Sequence, residues 1–290
     1  MNKQLAFVLS GGGERGALQV GALQALFGRG IQPDLLVGTS TGAVNAAFLA
    51  LNGFSQRSLD LLTVAWKEAA SSDLLPANYL WLTVRAIFGR SSNDPSQRIK
   101  DFFITHGLKP TLRFREIRQP RLIIVSAHLK TGAPVLHGTV PDEEILEALL
   151  VSTALPPWAM PRKKRDRYLM DGGGGGVSNL PIEPALRAGA IEIIALDLTD
   201  TREMFTEQTG IGFFLDRLTF TVEKRHLDLE LELAKALGIP ITYIDLVSKD
   251  HLPLWDCRHT KSLIAQGYEI ALNAIDQHSD KLHQTMQVAL

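Results

Sequence analysis

The first fifty residues contain two short apolar runs, each followed by a glycine-rich turn and then by a segment with helical spacing. The runs are Leu5 to Leu9 and Leu35 to Val37, and the helical segments are Ala17 to Phe27 and Thr41 to Leu51. Short apolar runs that end in turns are typical of buried strands. Two strands joined by a helix become parallel neighbours, so the loops that follow them emerge at one edge of the sheet. The two glycine-rich turns are therefore predicted to lie close together, at the edge where α/β sheets bind ligands.

Strands and helices alternate along the rest of the chain as well. Residues from about Gly53 to Gly107 are mostly helical and poorly periodic, and they are predicted to form a cap or insertion. The alternation favours one α/β domain over residues 1–290, a three-layer α/β/α fold with a mainly parallel central sheet. The further predicted strands are Leu122 to Ala127, Pro134 to His137, Tyr168 to Met170, Glu192 to Leu198 and Ile241 to Val247, and the further predicted helices are Asp142 to Ser152, Phe213 to Leu237 and Thr260 to His278.

The charges of the chain nearly cancel, since 30 Lys and Arg oppose 31 Asp and Glu. The formal charge of −1 gives no general attraction to nucleic acid, so no nucleic-acid partner is expected. The only cysteine, Cys257, excludes an internal disulfide and a cysteine-built metal site, and it fits a reducing compartment. The amino-terminal apolar run is shorter than a signal-peptide core of about 7–15 residues, and no run approaches the roughly 20 apolar residues of a membrane-spanning helix. A cytoplasmic location is therefore expected.

The pentapeptide Gly38-Thr39-Ser40-Thr41-Gly42 lies between the second predicted strand and the next helix. The pattern G-x-S-x-G at such a turn predicts a nucleophile elbow, in which a strained backbone lifts the serine hydroxyl clear of the sheet. Gly38 and Gly42 leave room for the tight turn, and the amino end of the following helix favours negative charge beside Ser40. The alternative is an ordinary turn with Ser40 as a helix N-cap.

Residues 11–16, which read GGGERG, follow the first predicted strand. They satisfy G-x-G-x-x-G, but a dinucleotide site also needs an acidic residue at the end of the second strand, and Asp34 precedes that strand. The alternative is an oxyanion hole, in which the backbone N–H groups of Gly11, Gly12 and Gly13 face the oxygen of a tetrahedral intermediate. A loop of this kind beside a serine nucleophile suits acyl transfer.

A serine hydroxyl needs a proton acceptor, and Asp171 is the candidate. It follows the predicted strand Tyr168 to Met170 and opens the tripeptide Asp171-Gly172-Gly173. A free aspartate has a pKa of about 3.9 and is a weak base, so burial would have to raise the pKa of Asp171 toward the working range. The alternative is an ordinary Asp-Gly turn.

Together these motifs resemble the signature motifs of the patatin-like phospholipases. Residues 11–16, 38–42 and 171–173 occur in the family's order, and the flanking stretches 152–157 (STALPP) and 179–181 (NLP) also resemble it. The resemblance implies a patatin-like fold, a Ser40–Asp171 catalytic dyad without histidine, and hydrolysis of lipid acyl esters. It implies no metal and no cofactor. The residues that support the motifs around this dyad are Arg15, Gly16, Gly38, Gly42, Gly172 and Gly173.

The loop after Asp171 departs from the family pattern. Family members usually place a hydrophobic residue after Asp-Gly-Gly or Asp-Gly-Ala, whereas here five glycines, Gly172 to Gly176, precede Val177. Five glycines lose much backbone entropy on ordering, so a mobile loop with impaired activity is one hypothesis. A catalytically weak or inactive lipid-binding or regulatory protein is the corresponding alternative function.

A Ser-Asp-His triad, as in α/β-hydrolases, is a second alternative. Ser40, Asp171 and His251 or His259 occur in the required order along the chain. In that fold several strands precede the elbow, whereas at most two do so here.

Three groups of side chains are candidates for contact with a lipid. Arg15 is predicted to fix the glycine loop or to meet an anionic head group, with a surface salt bridge as the alternative. A basic cluster could hold lipid phosphates in peripheral contact with a membrane, with a solvated hairpin as the alternative. Aromatic residues of the cap could line an acyl-chain groove, with core packing as the alternative. The basic residues are Arg162, Lys163, Lys164 and Arg165, and the aromatic residues are Trp66, Tyr79, Trp81 and Phe88.

Overall fold

The computed structural model describes residues 4–71, 95–156, 159–164, 166–175, 177–200, 202, 211–249 and 257–288. Short 3-10 helices lie at Gly13–Arg15, Phe114–Glu116 and Cys257–His259. The α-helices are α1 (Gly16–Gly28), α2 (Thr41–Asn52), α3 (Gln56–Ser71), α4 (Pro95–Thr105), α5 (Ile145–Ser152), α6 (Ile182–Arg187), α7 (Ile211–Ala236) and α8 (Thr260–Val288). The strands are β1 (Leu5–Leu9), β2 (Leu35–Thr39), β3 (Arg121–His128), β4 (Ala133–His137), β5 (Arg162–Lys164), β6 (Arg167–Asp171), β7 (Glu192–Asp197) and β8 (Ile241–Asp245).

These strands form one sheet in the order β5-β6-β3-β2-β1-β7-β8, with β4 also paired to β3. The pairs among β1, β2, β3, β7 and β8 are parallel, whereas the pairs that involve β4, β5 and β6 are antiparallel. The mainly parallel sheet predicted from the sequence is confirmed. The basic strand β5 and the short helix α6 were not predicted, because neither segment is long enough to show an apolar period.

Strand β1 shows how the sheet is buried on both faces. Phe7 and Leu9 lie in an apolar cluster with α1, α2, α3, α5 and α8, whereas Ala6 and Val8 lie in a second cluster with α6 and α7. Successive side chains of a strand point to opposite faces, so a strand covered on both sides reads as one continuous apolar run. The predicted three-layer α/β/α architecture is therefore confirmed.

One edge of β3 is shared by two strands whose ends meet. Thr39, the last residue of β2, pairs with Val125, and Asp171, the last residue of β6, pairs with the next residue, Ser126. Strand β4 pairs with the same residues of β3 and occupies the opposite edge. Strand β6 therefore takes over the edge of β3 where β2 ends, and this brings the turn after Thr39 next to Asp171.

The described part of the predicted cap consists of α3 and α4. Helix α3 contacts α1 and α2 and contributes Leu59, Leu62 and Trp66 to the core. The indole Nε1 of Trp66 donates a hydrogen bond of 2.8 Å to Oδ1 of Asn45. Core packing, the alternative to a groove lining, is thus correct for Trp66. The other three cap aromatics, Tyr79, Trp81 and Phe88, lie outside the described residues.

Among the helices of the described residues, none combines the length and the apolar character that a membrane crossing requires.

Candidate active site

Ser40 stands at a strained turn between β2 and α2. Its backbone angles are φ 53° and ψ −124°, and it is the one non-glycine residue with positive φ in the described part of the chain. Such a conformation costs about 1–3 kcal/mol and persists only where the surroundings enforce it. The side chain is partly exposed and makes no capping hydrogen bond to α2. Ser40 thus occupies the N-cap position of α2 without capping it through its hydroxyl, and the turn has the geometry predicted for an elbow.

Gly38 and Gly42 allow this turn because backbone atoms approach both of them closely. A Cβ atom on Gly38 would lie 2.5 Å from the carbonyl carbon and oxygen of Gly42, and one on Gly42 would lie 2.3 Å from the carbonyl oxygen of Leu9. Contacts this short with backbone atoms leave no room for a side chain. The glycine spacing of the motif is thus a packing requirement.

The glycine loop lies directly against the elbow. A Cβ atom on Gly11 would lie 3.1 Å from Cβ of Ser40. The amide of Gly11 donates to the carbonyl oxygen of Asn179 at 3.1 Å, so this N–H group holds the loop in place. The amides of Gly12 and Gly13 donate to no protein acceptor among the described residues. The Gly11 amide is therefore not available to an oxyanion, whereas a role for the amides of Gly12 and Gly13 stays a prediction.

Asp34 lies at the far end of the sheet from this loop. Its carboxylate accepts a hydrogen bond of 3.0 Å from the amide of Leu5, at the start of β1. Thr39, which ends β2, is followed by the elbow, so the acidic residue that a dinucleotide site needs is missing from this position.

Arg15 and Gly16 join the glycine loop to α1. Arg15 is only 7% exposed, so the alternative of a surface salt bridge is wrong. Burial opposes the ionisation of Asp200, but the hydrogen bonds from Arg202 and the positive charges of Arg202 and Arg15 keep the pKa of Asp200 below its usual value. A Cβ atom on Gly16 would lie 2.6 Å from Oγ1 of Thr41, which shows how closely the start of α1 packs against the elbow.

Asp171 is buried beside Ser40, with one oxygen of its carboxylate satisfied and one open. Oδ1 accepts hydrogen bonds from the amides of Gly173 at 2.9 Å and Gly174 at 3.1 Å. Oδ2 is buried without a hydrogen bond of normal geometry, although the Ser40 hydroxyl is near enough to lower the pKa of the carboxyl. Burial dominates and raises the pKa of Asp171 to about 6, against the opposing effects of Ser40 and the two amides. The Asp-Gly turn, proposed as an alternative, is part of this arrangement.

The glycine run after Asp171 forms a hydrogen-bonded turn. The amide of Gly175 donates to the carbonyl oxygen of Asp171 at 2.9 Å, and that of Val177 donates to Gly172 at 3.0 Å. Cβ atoms at four of the glycines would collide with neighbours, at 2.9 Å for Gly172 against Thr39 Cγ2, 2.3 Å for Gly173 against Asn179 Oδ1, 2.2 Å for Gly174 against Leu155 Cδ1 and 2.5 Å for Gly175 against Ala127 Cβ. Gly176 lies outside the described residues. At Gly175 the short Ala127 side chain leaves no room for a Cβ atom, and the hydrogen bonds order the turn, which weakens the support for a mobile loop.

Sequence reasoning assigned no role to Ser152 and Asn179, although both lie in stretches that resemble the family. The Ser152 hydroxyl accepts a hydrogen bond of 2.9 Å from the amide of Ser40 and donates one of 2.7 Å to the carbonyl oxygen of Val125. The Asn179 side chain donates to the carbonyl oxygen of Gly11 at 3.4 Å. Both residues therefore tie the elbow and the glycine loop to the rest of the sheet.

The triad alternative depends on His251 or His259. His259 is exposed in the 3-10 helix before α8, and His251 lies outside the described residues. The groups that act on the Asp171 carboxyl are Ser40 and the amides of its own loop.

The basic cluster forms the β5–β6 hairpin, and carboxylates already pair with part of it. Arg162 lies 3.4 Å from Glu147, and Lys164 lies 2.5 Å from Glu143. Nζ of Lys163 stands 6.0 Å from the centre of the Tyr168 ring. Arg165 lies outside the described residues. The hairpin is confirmed, whereas its contact with a lipid stays a prediction, and ion pairs already neutralise part of its charge.

Comparison with known proteins shows which family the chain belongs to. A model of the family described as patatin-like phospholipase matches residues 7–186. The patatin-like phospholipase domain-containing protein 7 of Rattus norvegicus is 29% identical over 209 residues, which cover 72% of this chain and 14% of that protein. An uncharacterised NTE family protein of Mycobacterium tuberculosis is 29% identical over 213 residues, which cover 72% of this chain and 32% of that protein. The chain thus spans only a small part of the length of these relatives.

Two solved structures are similar at low sequence identity. VipD from Legionella pneumophila has a TM-score of 0.44 and 16% identity, with 96% of this chain and 67% of that chain covered. ExoU in the ExoU–SpcU complex of Pseudomonas aeruginosa has a TM-score of 0.43 and 16% identity, with 95% of this chain and 51% of that chain covered. The match of the family model to well over half of the 290 residues is the decisive finding. The chain belongs to the patatin-like phospholipase family.

Proposed function

We propose that this chain is a serine acyl hydrolase that cleaves carboxylic esters of lipids, with Ser40 as nucleophile and Asp171 as general base. One observation carries the proposal. A strained, partly exposed serine stands next to a buried carboxylate whose Oδ2 atom has no other partner. Buried polar atoms in folded proteins are normally satisfied, so an orphan oxygen beside a strained hydroxyl indicates a site kept ready for chemistry.

The reaction follows from these positions. The Ser40 hydroxyl attacks the ester carbonyl carbon while its proton passes to Oδ2 of Asp171, and a tetrahedral oxyanion forms. The intermediate collapses to an acyl-serine, and the leaving alkoxide takes the proton from Asp171. Asp171 then removes a proton from water, which attacks the acyl-serine to form a second tetrahedral intermediate. This intermediate collapses to the fatty acid as the leaving Ser40 oxygen takes the proton back from Asp171, which restores both groups. No step of this mechanism uses a metal or a cofactor.

The amides of Gly12 and Gly13 are the proposed donors to the oxyanion. Both belong to a loop in contact with Ser40, and neither has a protein acceptor among the described residues. Helix α2 begins at Thr41, so its positive end adds to the favourable field. Donors that are already in place cost no reorganisation when charge develops, and one such donor contributes about 10²–10³ in rate.

The environment of Asp171 fits the role of base. A pKa of about 6 leaves the carboxylate ionised at neutral pH, yet makes it a better proton acceptor than an exposed aspartate. The two amide hydrogen bonds to Oδ1 fix the carboxylate, so Oδ2 is left to face the nucleophile. A histidine is therefore unnecessary in this mechanism.

Hydrolysis of a panel of phospholipid, lysophospholipid and short p-nitrophenyl esters tests the proposal. Ser40→Ala and Asp171→Asn are each expected to lose at least about a hundredfold in rate, the low end of a general-base contribution. Ser71→Ala, which removes an exposed hydroxyl at the end of α3, is the matched control and should retain the wild-type rate. Well-folded wild-type protein that hydrolyses no ester and resists labelling by a fluorophosphonate would overturn the proposal in favour of a lipid-binding role.

Peripheral membrane contact through the β5–β6 hairpin is a further part of the proposal. Lys163 and Tyr168 are exposed side by side on the hairpin, a pairing suited to an anionic lipid surface. Co-sedimentation with vesicles of phosphatidylcholine and phosphatidylglycerol should weaken about fivefold in Lys163→Ala, since a basic residue near such a surface contributes about 1 kcal/mol. Lys235→Ala, on α7, is the control and should bind like the wild type. Vesicle binding that does not depend on the anionic lipid would exclude the hairpin as the contact. An equal loss of binding in Lys163→Ala and Lys235→Ala would exclude it as well.

A further inference from the structure

The ladder between β2 and β3 stops one residue before the elbow. The parallel pairing runs in register as far as Thr39, which pairs with Val125. At the next position the Ser40 amide does not bond to a backbone carbonyl of β3. It donates instead to the Ser152 hydroxyl, which in turn donates to the carbonyl oxygen of Val125. A side chain from the end of α5 is thus inserted between the two strands.

The Ser152 hydroxyl connects the elbow to β3 through two bonds. A direct ladder bond places nitrogen and oxygen about 2.9 Å from each other. Here two successive bonds, of 2.9 Å and 2.7 Å, join the amide of Ser40 to the carbonyl of Val125. This connection lies where β6 takes over the edge of β3, with Asp171 opposite Ser126. The hydroxyl therefore anchors the elbow beside the end of the strand that carries Asp171.

A hydroxyl is the group that this position requires. Ser152 is fully buried, and its oxygen serves one donor and one acceptor at the same time. Alanine would leave the Ser40 amide and the Val125 carbonyl unpaired in the core. Buried backbone groups do not stay unpaired, so the two would tend to bond directly and draw the elbow toward β3.

From this geometry we infer that Ser152 is a positioning residue for the nucleophile: its hydroxyl sets the distance between the Ser40 oxygen and Oδ2 of Asp171. The inference rests on the proposed hydrolase function. A displacement of about 1 Å can reduce a rate about a hundredfold without any loss of substrate contacts. Ser152→Ala should therefore lower kcat and the rate constant of fluorophosphonate labelling by about tenfold to a hundredfold, while KM changes by less than about twofold.

The pH profile separates positioning from general damage. In the wild type the Ser40 hydroxyl lowers the pKa of Asp171. When the hydroxyl moves away, the apparent pKa seen in the labelling rate should rise in Ser152→Ala. A purely structural role of Ser152 would change the unfolding temperature and leave this apparent pKa unchanged.

Ser58→Ala is the matched control. Its hydroxyl is also buried and also donates to a backbone carbonyl, that of Asn52 at 3.0 Å, but it lies at the start of α3. This variant should lose thermal stability comparably and label at the wild-type rate. Ser152→Cys, which retains a weak donor of similar shape, should label at a rate between those of Ser152→Ala and wild type, and it replaces the alanine variant if that one does not fold.

The outcomes distinguish the inference from the function on which it depends. Wild-type protein that does not label would remove the proposed function. If the wild type labels, and folded Ser152 variants label at the same rate with the same apparent pKa, only the positioning role is overturned.

Discussion

Two serine hydroxyls, one on β3 and one in the turn that follows the neighbouring strand β2, have opposite surroundings. The Ser126 hydroxyl lies 2.8 Å from Nε2 of His137, whose Nδ1 lies 2.7 Å from Oε1 of Glu143. Ser126 and His137 are 0% and 2% exposed, and each of these polar atoms has a partner. Ser40, in contrast, is strained and partly exposed beside an acid with an unpaired oxygen.

Ser126, His137 and Glu143 have the composition of a Ser-His-Glu triad, yet Ser126 and His137 are buried and a substrate cannot reach them. Their network is satisfied, and satisfied buried networks fix a structure. The pair without histidine has the properties expected of a reactive site, namely access, strain and an unsatisfied carboxylate oxygen. Residue types alone do not separate the two groups, whereas burial and hydrogen bonding do.

The largest expected effect is that of Asp171→Asn. The rate of ester hydrolysis should fall at least about a hundredfold, because the base is lost while the amide bonds to the remaining oxygen persist. A rise in the pKa of Asp171 from 3.8 to about 6 means that the fold resists the ionised carboxylate. Above pH 6 this resistance costs up to about 3 kcal/mol, so the variant should unfold at higher urea than wild type at pH 8. An Asp171→Asn variant that is inactive and also less stable than wild type would show that the Asp171 carboxylate stabilises the fold, as the buried network around Ser126 does.

The pH dependence of the wild type should show the next largest effect. Asp171 acts as a base only when ionised, so kcat/KM should fall about tenfold for each pH unit below about 6 and stay level above it. The measurement is hydrolysis of a short ester from about pH 4.5 to about pH 8 at constant ionic strength. A level profile down to about pH 4.5 would mean that Asp171 is not the base.

His137→Ala tests the other side of the comparison. The change leaves the buried Ser126 hydroxyl without its partner and weakens the pairing of Glu143, so the free energy of unfolding should fall by about 2 kcal/mol. Fluorophosphonate labelling of the folded variant should stay within about threefold of wild type, since no substrate reaches this network. Strong loss of labelling in folded protein would show that the network also serves Ser40.

Glu143→Gln should have a smaller effect, confined to a pH window. Burial opposes ionisation of Glu143, but hydrogen bonds and charges from His137 and Lys164 lower its pKa from 4.5 to about 2. A lowered pKa contributes stability above the unfolded value that is lost as pH falls through the folded value. The wild type should therefore exceed the variant by about 1 kcal/mol at pH 7, and the difference should vanish between about pH 4.5 and about pH 2. A difference independent of pH would point to packing.

His259→Ala is expected to have the smallest effect. The side chain is exposed, and the groups that shift the pKa of Asp171 are Ser40 and the amides of Gly173 and Gly174. Ester hydrolysis should stay within about twofold of wild type. A loss of a hundredfold would revive the triad alternative for this histidine.

The sequence by itself determined the local chemistry of this protein. The β1–α1–β2–α2 order and the elbow at Ser40 follow from apolar runs and turn residues, which depend on neighbours in the chain. The position of Asp171 after a strand was predicted in the same way. Each of these features is encoded by residues that are close together in the chain.

Only the tertiary structure decided which groups are satisfied and which are open. The amide of Gly11 bonds to Asn179, and the amide of Ser40 bonds to Ser152, 112 residues away in the chain. The orphan oxygen of Asp171 likewise depends on strands that meet only in the folded sheet. Burial and hydrogen bonding join residues that are distant in sequence, and no local pattern records them. The physical reason is that a pKa or an unpaired amide is a property of the surroundings that the whole fold assembles.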